Sequence, residues 1–365
     1  MKLFSIVPLL VMQGFIYFLT RWLFWQFAVR SPKARRWIVA GCFSFGNGLM
    51  LSALLSWSHT LFRFGALWLV FLLYVVFTGA IIGFCHHTLK LIFKQPARYT
   101  RVLRIASPLI LISFFAVSVY NAYTPVLRHA KITIGKPLAK PVRIGMAADL
   151  HLGILMGARQ LDKLADIMNR EKVDMILLPG DIMDDNTDVY DSENMKPHFA
   201  RLRAPMGVFA TLGNHDMFSR DPISHAIQDA GITVLSDQAA LVDNQIWVVG
   251  RPDQLIGQRM ETADLLRAAQ VDTSQPVFLL DHRPDDVLAH TKLPIDVQVS
   301  GHVHNGQIFP ANLLVRFLNR LPYGYEKIGN GHFFVTSGYG FWGVPFRLGS
   351  QSEVWIIDVE GTPAR

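Results

Sequence analysis

The first 140 residues contain no aspartate and no glutamate, although they hold sixteen lysines and arginines. All 28 acidic residues lie in the remainder. The two parts carry +16 and −9, giving the net +7. Such a balance is often the mark of a nucleic-acid binder. Here the positive charge sits in an apolar, aromatic-rich region, which excludes nucleic acid as the partner and reads as the cytoplasmic trim of a membrane domain. Cysteine is scarce too. Cys42 and Cys85 both fall within apolar runs, so the second half has no disulfide framework and no thiolate zinc site. This leaves the compartment open, because a cysteine-free domain suits either side of a membrane. Internal repeats and low-complexity segments are absent.

Four apolar stretches are long enough to span a bilayer, which takes about 20 helical residues. They run over Leu3–Phe27, Trp37–Trp57, Gly65–Phe84 and Ala106–Tyr123. Trp22, Trp25, Trp37, Trp57, Tyr120 and Tyr123 stand near their ends, as an interfacial belt would. A set of buried helices in a soluble protein fits poorly with four runs that lack a single acid. A cleaved signal peptide fits poorly as well: the first run is long, and no small-x-small site follows it. The first connection carries Arg30, Lys33, Arg35 and Arg36, and the third carries Lys90, Lys94, Arg98, Arg101 and Arg104. The second has only Arg63. Connections one and three are therefore expected in the cytoplasm, and the C-terminal part outside, despite Arg128, Lys131 and Lys136 after the fourth stretch. The expectation is an integral, multi-pass protein of the inner membrane. Residues 1–123 would form an all-α anchor of four spans, 124–140 a linker and 141–365 an extracytoplasmic, periplasmic domain.

In that domain short apolar runs alternate with amphipathic stretches. Val142–Ala147, Met175–Leu178, Val208–Thr211, Val277–Leu280 and Val297–Ser300 read as buried strands. Ile246–Val249, Phe333–Thr336 and Val354–Val359 add further strands. Ala158–Asn169, Ile223–Asp229, Thr262–Ala269 and Pro284–His290 read as helices. The alternation predicts an α/β fold.

Polar residues follow the strands. Asp149-Leu150-His151 comes after the first, Gly180-Asp181 after the second and Gly213-Asn214-His215-Asp216 after the third. His282 and Gly301-His302-Val303-His304 follow the next two. Open α/β sheets bind ligands beyond the carboxyl ends of their strands, so these clusters are expected to converge. Carboxylate, amide oxygen and imidazole suit Mn, Fe or Zn. Asp149, Asp181, Asn214 and four histidines are enough for two ions, and an Asp between them can bridge. Two such ions can clamp both oxygens of an in-line displacement at phosphorus and acidify a shared water. His198, His225, His290 and His332 read as ordinary satisfied core residues, and Asp281 as either a support or a plain polar residue.

In this order, Asp-x-His, Gly-Asp, Gly-Asn-His-Asp, a lone His and Gly-His-x-His resemble the calcineurin-like metallophosphoesterase superfamily. The resemblance covers residues 141–360. It is nearest to the bacterial branch typified by YkuE and YaeI, since Gly301–Ile308 (GHVHNGQI) is similar to that branch's GHTHGGQI. Ser337-Gly-Tyr-Gly and Pro345-Phe-Arg are similar to it as well. The resemblance implies a layered β-sandwich flanked by helices. It implies that Asp149, His151 and His304 bind one metal, that Asp181 bridges, and that Asn214, His282 and His302 bind the other. His215 would stabilise the transition state or protonate the leaving oxygen, and Asp216 would orient or tune His215. Manganese is the expected metal, with iron or zinc as alternatives. Val303, Asn305 and Ala148 stand where the branch usually has Thr, Gly and Ser, all outside the ligand set.

The expected reaction is hydrolysis of a phosphomonoester, phosphodiester or pyrophosphate. Placement beside a bilayer points to a lipid-linked substrate. Ile308–Tyr325 adds an amphipathic segment with Arg316 and Arg320, suited either to lipid headgroups or to packing on its own domain. Alternatives are a cell-wall polymer phosphodiester, or a pyrophosphate of the UDP-diacylglucosamine type, whose cytoplasmic chemistry the loop charges oppose. A transport or assembly protein with a regulatory phosphoesterase-like module would need ionisable groups within the spans, which the sequence does not supply.

Overall fold

Long apolar runs without turn signals form four helices: α1 (Lys2–Gln26), α2 (Pro32–Leu55), α3 (His59–Ile92) and α4 (Pro96–Tyr123). The computed structural model describes residues 2–55 and 59–362, so Trp57 lies outside the described residues. The chain divides into two compact units, Met1–Ser118 and Val119–Arg365. In the first, Met12, Ile16 and Leu19 of α1 pack with Leu72 and Val75 of α3. Four spans were expected. Among the described residues two helices, Thr60–Ile92 and Pro96–Tyr123, are long and apolar enough to cross a membrane. The other two helices carry polar residues. Helix α1 carries Gln13, Arg21 and Gln26, and α2 opens on Lys33, Arg35 and Arg36 and carries Asn47. Gln13 and Asn47 exchange amide hydrogen bonds of 2.8 and 3.1 Å between the two helices.

The second unit holds twelve named strands: β1 (Val126–Pro137), β2 (Val142–Met146), β3 (Met175–Pro179), β4 (Val208–Thr211), β5 (Thr233–Val234), β6 (Gln238–Val242), β7 (Ile246–Arg251), β8 (Val277–Asp281), β9 (Val297–Ser300), β10 (Gly324–Ile328), β11 (Gly331–Val335) and β12 (Glu353–Thr362). Its helices are α5 (Ala158–Glu171), α6 (Asp188–Ser192), α7 (Lys196–Phe199), α8 (Arg220–Asp229), α9 (Thr262–Ala268), α10 (Val287–His290) and α11 (Ala311–Leu318). The strands form two sheets, ordered β1-β12-β2-β3-β4-β5 and β10-β11-β9-β8-β7-β6. Strands β2, β3 and β4 run parallel in one sheet, and β7, β8 and β9 in the other.

These strands are continuous apolar runs because both faces are covered. Ile144, Met146, Leu177 and Phe209 of one sheet meet Phe278, Leu280, Val299 and Phe334 of the other in a shared core. On the outer face of the first sheet, Leu161, Leu164, Ala165 and Met168 cover Ile176 and Leu178. That spacing is one face of a 3.6-residue helix, α5. Each fully buried Leu or Met there contributes about 2 kcal/mol. Helix α5 ends where Lys172 takes a left-handed φ of 52° and its N–H turns back to Asn169 and Met168. Leu265 and Leu266 of α9 cover the second sheet through Val249 and Leu279.

Residues 124–140, expected as a linker, instead carry β1, which lies parallel to β12 with Val126 opposite Glu353 and Ile132 opposite Val359. Alternation betrays this strand: Ile132 and Ile134 are buried, while Lys131 and Thr133 are exposed.

Candidate metal centre

Parallel strands deliver their following loops to one edge. Asp149 and His151 follow β2, Asp181 follows β3, and Asn214, His215 and Asp216 follow β4. His282 follows β8, and His302 and His304 follow β9. The loops do bring these side chains together. Ligand atoms of Asp149, His151 and His304 lie within 4.8 Å of one another, and so do those of Asp181, His282 and His302. Asp181 stands between the two sets: its Oδ2 is 3.2 Å from His282 Nε2 and 3.8 Å from His151 Nε2. Asn214 Oδ1 is also 3.2 Å from His282 Nε2.

The donor inventory tests whether metal fits. His282 Nδ1 donates to the Pro179 carbonyl at 2.9 Å, which in the neutral ring leaves Nε2 as a lone pair. That nitrogen faces two oxygens, Asp181 Oδ2 and Asn214 Oδ1, and the Asp181 carboxylate favours a proton there that a cation would displace. His151 and His304 likewise turn their Nε2 atoms toward each other at 3.2 Å. Asp149 Oδ2 and His151 Nδ1 are buried without a hydrogen-bond partner. Converging lone pairs and an orphaned carboxylate oxygen suit divalent cations, and the residues present fit them.

Electrostatics agree. Burial pushes the Asp149 carboxyl up to about 7, with Asp181 adding to the rise. Burial presses His151 down to about 4; with help from His282 and Arg283 it presses His302 to about 3. His304 falls well below its ordinary value through burial and the nearby Arg347. Neutral imidazoles are what a metal takes. Burial alone would raise Asp181, but His282, His151 and His215 hold it far below the usual carboxylate range.

The backbone is bent to make this site. Asp149, His151, Asp181, His302 and His304 have φ of 53°, 45°, 50°, 71° and 47°. Each such non-glycine residue costs on the order of 1 kcal/mol or more. Glycine appears where carboxylates crowd the chain: a Cβ on Gly213 would run into Asp181, and one on Gly301 into Asp149.

One contact differs from expectation. Asp216 does not pair with the His215 ring. Its buried carboxylate accepts the backbone N–H groups of Gly213 (2.8 Å), Met183 (2.9 Å) and Ile182 (3.0 and 3.1 Å). It therefore ties the loop after β4 to the loop after β3. The partner of His215 is Asp185, 2.6 Å from Nδ1. Burial opposes a charge on His215, but the Asp185 bond, with Asp181, raises its pKa above the ordinary value. The signal was present in the sequence, as Asp184-Asp185 closely follow Asp181.

Arg347 was also missed as a site residue. It is fully buried and donates to the carbonyls of Ser337 (2.6 Å) and Gly340 (2.5 Å), with its guanidinium 3.1 Å from His304 Nδ1. Arg283 donates to Asp253 at 2.5 Å and sets Nη1 3.0 Å from His302 Nε2. Asp281 points away, into a buried network with Arg251 and Arg259. His290 bonds Thr262 and Gln298, and His332 bonds Tyr325 and Thr133, as ordinary core residues do.

A family model described as Calcineurin-like phosphoesterase matches residues 142–306, which span every candidate ligand. An uncharacterized metallophosphoesterase of Helicobacter pylori (strain J99 / ATCC 700824) is 30% identical over 287 residues, 76% of this chain and 76% of that protein. The uncharacterized metallophosphoesterase YkuE of Bacillus subtilis (strain 168) is 27% identical over 60% of this chain and 79% of its own. A Danio rerio protein named transmembrane protein with metallophosphoesterase domain is 25% identical over 59% of this chain and 52% of its own.

Proposed function

Because the chain belongs to the calcineurin-like phosphoesterase family, we propose that it is a membrane-bound hydrolase of a lipid-linked phosphoester or pyrophosphate, dependent on two divalent metal ions. The observation that carries the chemistry is the pair of buried ligand sets meeting at Asp181. Asp149, His151 and His304 would hold one ion, Asn214, His282 and His302 the other, and Asp181 both. Manganese suits this oxygen and imidazole set, with iron or zinc as alternatives. When bound, the ions supply positive charge against phosphoryl oxygens and acidify water at neutral pH.

The chain's own groups do the rest. His215, steadied by Asp185, holds a proton for the leaving oxygen. Asp216 fixes the two loops that carry Asp181 and His215. Phe218 and Trp342, whose rings lie 6.3 and 6.0 Å from the His215 ring, wall the opening.

Three features support a lipid-linked substrate on the outer face. The connection from α3 to α4 is basic, which favours the cytoplasm for it and the opposite side for the unit that follows. The last turn of α4 is part of the second unit, where the Tyr123 ring packs on Phe341 at 5.3 Å, next in sequence to Trp342. Helix α11 buries none of its residues; Leu313, Leu314 and Leu318 are exposed, and Phe317 is 87% exposed. No acid occurs between Asp296 and Glu326, while Arg316 and Arg320 can meet phosphate headgroups.

The test compares a lipid phosphoester in mixed micelles with a soluble phosphodiester, using purified protein supplied with manganese. The lipid is expected to be cleaved faster. Leu314→Glu with Phe317→Glu is expected to cut that rate about tenfold to a hundredfold and to spare the soluble substrate. Cleavage of the soluble substrate alone would refute the lipid-linked assignment.

A further inference from the structure

The helical unit contains a cavity of about 350 Å³ whose lining includes Arg21, Arg30, Arg35 and Arg104, together with Phe24 and Trp25. Four guanidinium groups are gathered there without a counter-charge from their own unit, because residues 1–118 contain no acid at all. Like charges repel unless an anion lies among them.

Two of the arginines are also held in place. The Arg35 guanidinium lies 5.2 Å from the Phe24 ring centre, and its Nε donates to the Val29 carbonyl at 2.9 Å. The Arg104 guanidinium lies 5.6 Å from the Trp25 ring centre. Gln26 donates to the Arg104 carbonyl at 2.8 Å, and Trp22 donates to Ser107 at 2.9 Å, so the end of α1 is clamped to the start of α4. Arg104 Nε is buried without a hydrogen-bond partner. Flexible surface arginines would spread apart. Arg35 and Arg104 are instead fixed by aromatic faces, and Arg104 keeps an unused donor.

We propose that this cavity binds a phosphate group, presented by the headgroup of an anionic lipid in the adjacent leaflet. Guanidinium is the side chain whose planar fork matches phosphate oxygens. Basic pockets between spans on the cytoplasmic side are suited to such headgroups. The basic first and third connections favour the cytoplasmic side for the cavity. The proposal draws on the membrane placement proposed above and is independent of the chemistry at the metal centre. Inorganic phosphate shares the recognised group and is the alternative source.

Native mass spectrometry of the full chain, stripped of lipid in detergent, tests this. Phosphatidylglycerol is expected to be retained at about tenfold lower concentration than phosphatidylcholine. Arg21→Gln with Arg30→Gln, two exposed positions, should abolish that preference, and Arg104→Gln should do the same. Arg98→Gln with Arg101→Gln, outside the cavity lining, should leave it intact. Elution volume and a cooperative melt establish that each variant is folded; if Arg104→Gln is not, the exposed pair decides. Competition by inorganic phosphate at millimolar concentration would support the same anion site and assign it to free phosphate. Equal retention of both lipids with no effect of phosphate, or a preference that survives in the exposed pair, would overturn the proposal.

Discussion

Asp181→Asn is expected to lower hydrolysis of a soluble phosphoester by about a thousandfold, on the order of 4 kcal/mol of transition-state stabilisation. The substitution keeps the shape of the side chain and one acceptor oxygen, so the 2.8 Å bond from the His215 N–H can persist. What it removes is the buried negative charge shared by the two ligand sets. Burial would make His282 a weaker base, yet Asp181, with Asp149, lifts it to about 10. The lift has the sign expected of a buried carboxylate that draws positive charge to this point. The comparison is kcat/KM with manganese supplied, alongside circular dichroism of both proteins. A folded variant within threefold of the parent would remove Asp181 from the centre of the mechanism.

Arg347→Ala is expected to destabilise the second unit by about 3–5 kcal/mol. The loop from Thr336 to Ser352 crosses under the metal centre, and Arg347 is its internal tie. Besides Ser337 and Gly340 it donates to the Ser350 hydroxyl at 3.2 Å. Burial pushes its pKa down to about 10, against the pull of Asp149 and Glu353. Truncation would leave those carbonyls buried and unpaired, beside an empty volume. For a unit this size the apparent melting midpoint should fall by about 10 °C. Arg347→Lys should recover little, since an ammonium cannot span the same acceptors. The same loop also receives the end of α4, where Asn121 donates to the Arg347 carbonyl at 3.2 Å and accepts from the Ser352 N–H at 2.9 Å. An unchanged midpoint would mean that other contacts hold the loop.

Both predictions depend on features of unequal visibility in the sequence. The strands β2, β3, β4, β8 and β9 were legible because they are short apolar runs buried on both faces. The candidate ligands were legible because each follows such a run closely. Strand β1 was not, because it follows an apolar helix and alternates over few buried positions, Ile132 and Ile134. The partner of His215 was misassigned because adjacency in sequence favoured Asp216. The chain turns sharply there, sends the Asp216 carboxylate to three backbone N–H groups and leaves the ring to Asp185. Arg347 stood in a recognised motif but gave no sign of burial, since a charged side chain is rarely buried without a carboxylate bonded to it. The four apolar stretches were visible as helices; among the described residues two of them, Thr60–Ile92 and Pro96–Tyr123, are long and apolar enough to cross a membrane, and Gln13 and Asn47 pair across the other two.

The metal content of the purified full-length protein tests the central claim most directly. Elemental analysis after manganese loading and desalting is predicted to find two divalent ions per chain, falling to one or none in Asp181→Asn with activity lost in step. A parent protein that carries no metal after loading, yet hydrolyses phosphoesters in excess chelator, would contradict the account.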